Sequence, residues 1–270
     1  MAKVLISFLL AVTLLNGDIL NDKVKNLIGQ RDYNIHKNLI NLLLKDKYKY
    51  ENNGQIKYYN LVKMLRENGL LDLHLSYPQE INIEFDLLNK SLKGYKILKD
   101  TMESIGYRYF FTDSLSSSEN RLNWIIRFRA EYMLNPQILL KELQQKNCKI
   151  LNIENRGFNS WYYEIDFETS KVDEAVKIDK DEKVVFQKPL KPYFLALDDI
   201  KSLQIISRKL NNWFPYIVFF DKDLNILKVI KKDRIYKGFK AKAPSGTKYV
   251  KISDTYNLIN IKRGLSIIAR

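Results

Sequence analysis

The sequence predicts an α+β protein: a small helical N-terminal cap, an α/β sandwich after it, and an all-β sandwich of jelly-roll-like kind at the end. Three observations predict this. Over residues 76–168, period-two apolar runs are interleaved with two stretches of helical spacing. From 183 to 270, short apolar runs recur between turn residues with no helical period. Between these parts, TSKVDEAVKIDKDE (169–182) is polar and acid-rich and reads as a linker or a short helix. The chain has 270 residues, 46% of them hydrophobic, which is enough for real cores and excludes disorder as the default.

Residues 1–17, MAKVLISFLLAVTLLNG, have the layout of a secretory signal peptide: Lys3, an uncharged run over 4–15, and Gly17 just before Asp18. A spanning helix needs about 20 apolar residues, so this run is short for one; a retained anchor or a buried helix is the competing reading. No Cys stands at the cleavage point, which argues against a lipoprotein. The single cysteine, Cys148, excludes an intramolecular disulfide. An exported chain that relies on packed cores alone suits a Gram-negative periplasm.

Residues 18–75 read as a helical segment. Ile19, Leu20, Val24, Leu27 and Ile28 share one side of a first helix that Gly29 stops. Asn34 is placed to cap a second helix, Asn53-Gly54 marks a turn, and 58–68 forms a third helix ended by Gly69. Such a group is either a cap on the following domain or a small winged-helix-like unit.

In 76–168, Ile81, Ile83, Phe85 and Leu87 alternate with polar residues as a half-buried strand. A helix over 89–105 presents Leu92, Tyr95, Leu98 and Met102 and ends at Gly106. Residues 107–112 read as a strand, SLSSSEN as a hairpin loop, and Leu122, Trp124, Ile126 and Phe128 as the next strand. Asn135-Pro136 is an N-cap and first-turn pair for a helix running to Gln145, and strands follow at 149–154 and 160–167. The two helix–strand–strand units resemble the ferredoxin-like, split βαβ layout, which implies an antiparallel sheet with both helices on one face.

Eight strands are predicted in 183–270, at 184–186, 193–197, 203–207, 216–220, 226–230, 235–241, 249–252 and 259–268, with a small barrel as the alternative to a sandwich. The runs PYIVFFDKDLNILKV and GFKAKAPSGTKYVKIS carry an aromatic strand ending in a Phe-Asp-Lys turn and a proline turn before a Tyr-Val-Lys strand. Over residues 216–253 this resembles the carbohydrate-binding-type β-sandwich modules of secreted and phage-tail proteins, although no calcium loop or defined aromatic platform accompanies it.

Chemistry-bearing motifs are sparse. His36 and His74 have no partner at ligand spacing, and Cys148 reads as a buried filler at a strand start. No nucleophile elbow, phosphate-cradling loop or zinc helix is present in the sequence, so no catalytic residue, metal or cofactor is predicted. Asp198-Asp199 and Asp221/Asp223 are carboxylate pairs of the kind a carbohydrate-active enzyme needs, but both sit at predicted turns, where Asp serves local hydrogen bonds.

Charge is the stronger signal. Residues 183–270 hold 19 Lys and Arg against 6 Asp and Glu, a net of +13 out of the chain's +14. Such a field concentrates anionic partners. The predicted binding residues are Lys228, Lys231, Lys232, Arg234, Lys237, Lys240 and Lys242, with Tyr236, Tyr249 and Trp213 as stacking rings. Phe239 and Ala241 alternate with Lys240 and Lys242, so burying the first pair turns both lysines outward. The competing reading is that these lysines guard edge strands against aggregation. The expected partner is an anionic envelope component or envelope protein: a phosphorylated glycan, lipid head groups reached through the basic face, or an acidic protein. An exported nucleic-acid-binding protein ranks lower, because export removes it from cytoplasmic nucleic acid. The oligomeric state stays open.

Overall fold

The computed structural model describes residues 19–157, 159–173 and 175–270, so the expected signal segment lies outside the described residues. The chain is α+β and divides into two compact units, with the boundary in sequence between Lys171 and Val172.

The first unit opens with helix α1 (residues 19–28), which stops at Gly29, where φ is +85°. Two short helices follow, α2 (Gln30–Ile35) and α3 (Lys37–Leu43). The expected cap at Asn34 is not one. Because α2 starts directly behind Gly29, helical bonding already runs through Asn34, and the His36 amide donates to the Asp32 carbonyl at 3.0 Å. The Asn34 side chain instead accepts from Gln30 Nε2 within the same helix. Asn53-Gly54 forms the expected turn, with both residues at positive φ, between strands β1 (Glu51–Asn52) and β2 (Gln55–Ile56). Helix α4 (Tyr58–Glu67) ends at Asn68 and Gly69, as its sequence predicts.

The remainder of this unit runs β3 (His74–Leu88), α5 (Ser91–Ser104), β4 (Phe111–Ser118), β5 (Arg121–Tyr132), α6 (Pro136–Gln145), β6 (Lys149–Gly157) and β7 (Ser160–Asp166). The five strands form one sheet in the order β4-β5-β3-β7-β6. β5 lies antiparallel between β3 and β4, which is the split βαβ arrangement. The expectation of a wholly antiparallel sheet is corrected: β7 enters between β3 and β6 and runs parallel to β3, pairing Asn82 with Ser160 through Leu88 with Asp166. Hydrophobicity explains the insertion. Trp161, Tyr163 and Ile165 on β7 are buried on the face that also holds Phe85 and Trp124, so a central position covers them where an edge would not. Helix α5 packs on β3 and β5, and α6 on α4, α5 and β6. Asn135 caps α6, its Oδ1 accepting the Gln137 and Ile138 amides, with Pro136 in the first turn. Gly94 lets α5 approach Phe167, since a Cβ there would stand 2.7 Å from the ring.

The stretch SLSSSEN is not a loop. Its serines through Ser118 belong to β4 and pair with Ile125 to Arg121, so the regular alternation of β5 templates a polar neighbour. The sheet face opposite the helices carries ionic pairs: Arg121 grips the buried carboxylate of Asp86, which also accepts from Tyr162 at 3.0 Å. Burial and that bonded carboxylate push the Tyr162 hydroxyl well above its ordinary pKa.

The second unit is a β-sandwich. Its strands are β8 (Val176–Ile178), β9 (Lys183–Val185), β10 (Tyr193–Leu197), β11 (Ser202–Ser207), β12 (Pro215–Phe220), β13 (Ile226–Lys231), β14 (Gly238–Lys242), β15 (Tyr249–Asp254) and β16 (Leu265–Ala269). One sheet has the order β13-β12-β15-β10-β8 and the other β14-β11-β16-β9. Each of the eight predicted strands has a counterpart, but the one expected over 259–268 is corrected: Leu258–Ile261 is a 3-10 helix capped by Asn257, and the strand begins only at Leu265. The ninth, β8, lies inside the segment expected as a linker and pairs parallel with β10, because Ile178 is fully buried beside Leu197. Inward residues of both sheets form the core, among them Leu195, Ile205, Ile217, Phe219, Val250 and Ile267.

Candidate functional site

The predicted basic cluster follows the chain from one sheet to the other. β13 is the edge of the five-stranded sheet and carries Lys228 and Lys231, both exposed. β14 is the edge of the four-stranded sheet and carries Lys240 and Lys242. The connector 232–237 joins the two edges and brings Lys232, Arg234, Tyr236 and Lys237 to the flank of the sandwich. It is anchored by its backbone: the Lys232 amide donates to Pro215 O and the Tyr236 amide to Trp213 O, both at 2.9 Å. Lys237 Nζ donates to Asn211 O, and Arg234 Nε donates to the Tyr236 hydroxyl, which raises the guanidinium pKa further.

Two of the three expected stacking rings are elsewhere. Trp213 is fully buried in the sandwich core, where its Nε1 donates to Ser253 O at 2.9 Å. Its size and its single donor suit it to core packing with one internal acceptor. Tyr249 is also buried, on the opposite side of β15 from the core residues Val250 and Ile252, and stacks on Phe194 at 5.5 Å and 13°. Burial raises its hydroxyl pKa, and the charges of Asp173, Asp198 and Asp223 add to the rise. Tyr236 packs against the core and meets Phe239 edge-on at 5.4 Å. The structure therefore places the seven basic residues on β13, β14 and the connector between them, with Lys231 on the outer face of one sheet and Lys240 and Lys242 on the outer face of the other, and separates Trp213 and Tyr249 from them.

Ala241 is buried and Phe239 packs on the core, so Lys240 and Lys242 do point outward. Register then reveals residues that the cluster in sequence did not include. Lys240 lies opposite Gln204, which lies opposite Ile268, which lies opposite Lys183. Lys242 lies opposite Ser202, which exchanges backbone hydrogen bonds with Arg270. Opposed residues share a face, so the outer face of the four-stranded sheet carries Lys240 and Lys183 at its two sides with Gln204 and the half-buried Ile268 between them. Among the described residues, no Asp or Glu stands in these two rows, and no carboxylate pairs with Lys228, Lys231, Lys232, Lys240 or Lys242. The only trace of this row in the sequence is the alternation of Lys183 with the inward Val184.

The outer face of the five-stranded sheet is more aromatic. Phe194, Phe220 and Tyr249 form one cluster, and Lys251 sits 5.7 Å from the Tyr216 ring centre. The carboxylate pairs serve turns and an ion pair. Asp221 accepts from the Asp223 and Asn225 amides, and Asp199 has φ of +51°. Asp198 bonds Lys248, which holds its carboxyl below the usual range. His36 joins α2 to α3, and His74 meets Tyr132 at 4.9 Å. Cys148 is buried at the start of β6. Among the described residues, no group of three or more His, Cys, Asp or Glu could hold a metal, and no helix is long and apolar enough to cross a membrane.

Compared with protein-family models, with curated proteins and with solved structures, the chain matches none.

Proposed function

We propose that this is a non-catalytic periplasmic binding or scaffold protein whose C-terminal sandwich docks onto an anionic envelope component, a phosphorylated or acidic glycan being the chemistry the surface suits best. One observation carries the reading: the lysine rows on the outer face of the four-stranded sheet continue into the basic flank, with no carboxylate in those rows. Strands are spaced by about 4.8 Å, so Lys240 and Lys183 stand roughly 14 Å apart across the sheet. That spacing suits a polymer with repeated charges. Gln204 in that row and Ser202 in the neighbouring Lys242 row offer hydrogen bonds to hydroxyls. The resemblance of residues 216–253 to carbohydrate-binding-type modules agrees with a glycan. The first unit, nearly neutral and ferredoxin-like in element order, serves protein contacts. The non-catalytic part rests on the use of the Asp pairs for turns and an ion pair.

The test is retention of the full chain on purified envelope fractions and on an immobilised phosphorylated glycan, at low and moderate salt. Exposed charges act over a Debye length of about 8 Å at physiological ionic strength, so retention should fall as salt rises. The double variant Lys240→Glu, Lys242→Glu should weaken it at least tenfold, while keeping the fold, since both side chains are exposed. No salt-sensitive retention on any fraction removes the proposal. A gel shift with duplex or single-stranded DNA instead would transfer it to nucleic acid.

A further inference from the structure

The two edges of the first unit's sheet are treated differently. The β6 edge is engaged by the N-terminal helices, because Asn152 Oδ1 accepts from Lys23 Nζ at 2.8 Å and from the Tyr58 hydroxyl at 2.9 Å. The β4 edge is exposed at every one of its eight residues. Two of these are large and apolar, Phe111 at 72% and Leu115 at 50% exposure.

Free edges attract other strands, and chains commonly defend them with lysine, proline or a charged bulge. The sandwich edges in this molecule follow that practice: β13 carries Lys228 and Lys231, β14 carries Lys240 and Lys242, and β8 and β9 carry Lys177 and Lys183. β4 reads FTDSLSSS and has neither lysine nor proline. Its one charge, Asp113, sits at an irregularity in the pairing and is held by Arg127, Nε to Oδ2 at 3.0 Å. From Ser114 to Ser118 the edge is uncharged, small-sided and in regular register with β5.

We propose that β4 is a self-pairing edge: two copies of the chain join their β4 strands antiparallel about a two-fold axis and make one continuous sheet. The strand's own chemistry selects this occupant. Like charges directly opposite one another destabilise an antiparallel pair, and Ser114–Ser118 brings none to its own copy. A two-fold through Leu115 sets Leu115 opposite its own copy as an apolar cross-strand pair and Ser114 opposite Ser116, and places Asp113 near Ser117, so the carboxylates stay apart. Two eight-residue strands form about eight inter-strand hydrogen bonds, within the ~10 of an ordinary protein interface. An isologous contact of this kind closes at two copies and leaves the β6 edges, engaged by helices, at both ends of the joined sheet.

Sedimentation equilibrium of the full chain across the micromolar range tests this, together with hydrogen exchange of residues 111–118. Twice the chain mass is expected at the upper end, with β4 amides slowing as concentration rises. Leu115→Lys, and separately Ser114→Lys in case the first disturbs the packing over Trp124, should raise the dimer dissociation constant at least tenfold with an unchanged circular dichroism spectrum. A monomer throughout the range overturns the proposal. So does a dimer that both variants leave intact, since it would lie on another surface.

Discussion

Gly264→Ala should destabilise the second unit far more than an ordinary glycine substitution. Gly264 has φ of +84°, and a Cβ there would stand 1.9 Å from the Phe186 carbonyl oxygen. Ordinary carbon–oxygen contact is about 3.3 Å, so roughly 1.4 Å of movement is required. Little freedom exists to supply it. The Gly264 amide donates to Ile261 O, its carbonyl accepts from Asn211 Nδ2, and the Phe186 amide donates to Leu265 O, each at 2.8 Å. Left-handed backbone costs an alanine about 1–2 kcal/mol. Relieving the overlap adds about 1–3 kcal/mol. Loss of one of the flanking hydrogen bonds adds about 1 kcal/mol. The total is about 3–6 kcal/mol, a large share of a domain's ~5–15 kcal/mol. Gly246→Ala is the internal control: φ is +78°, but nothing lies within 4 Å of the added carbon, so only the ~1–2 kcal/mol backbone penalty applies. Urea unfolding gives the two midpoints, and hydrogen exchange in peptides covering β9 and β16 localises the loss. A Gly264→Ala cost within about 1 kcal/mol of the control would show that the contact with Phe186 does not constrain the fold.

Two further outcomes follow from local chemistry. Asn135→Ala should cost about 1 kcal/mol, because it removes the cap of α6, and Asn135→Asp should recover most of it; equal urea midpoints for wild type and Ala variant would contradict that. Burial pushes the Tyr193 hydroxyl up to about 12, and it donates to Gln187 O at 2.6 Å. The folded pKa exceeds the unfolded value, so this contribution is whole below pH ~10 and is lost as pH rises through the folded pKa. Tyr58 and Tyr163 shift the same way through burial. Urea midpoints should therefore fall between about pH 10 and pH 12, and Tyr193→Phe should flatten the decline; constant stability across that window would contradict the assignment.

Much of both units was legible from residue order alone. Turn residues such as Asn53-Gly54, Asn68-Gly69 and Pro244-Ser245-Gly246 act through neighbours a few positions away, and period-two alternation separates the inward Phe239 and Ala241 from the outward Lys240 and Lys242. The uneven charge was equally plain. Errors fell where local composition met a strong partner: the serines of β4 read as a loop until β5 paired with them, and 176–178 read as a linker until β10 did.

By itself, the sequence determined the α+β class, the order and periodicity of nearly every strand, and the concentration of positive charge in the last third of the chain. Only the tertiary structure decided that β7 lies parallel beside β3, that Trp213 and Tyr249 are buried away from the lysines, and that Lys183 and Arg270 extend the basic face. The reason is physical. Periodicity and turns depend on side chains within a few residues of each other, whereas which strand lies next to which depends on pairs such as Asn82 with Ser160, whose meeting is chosen by the burial of whole faces.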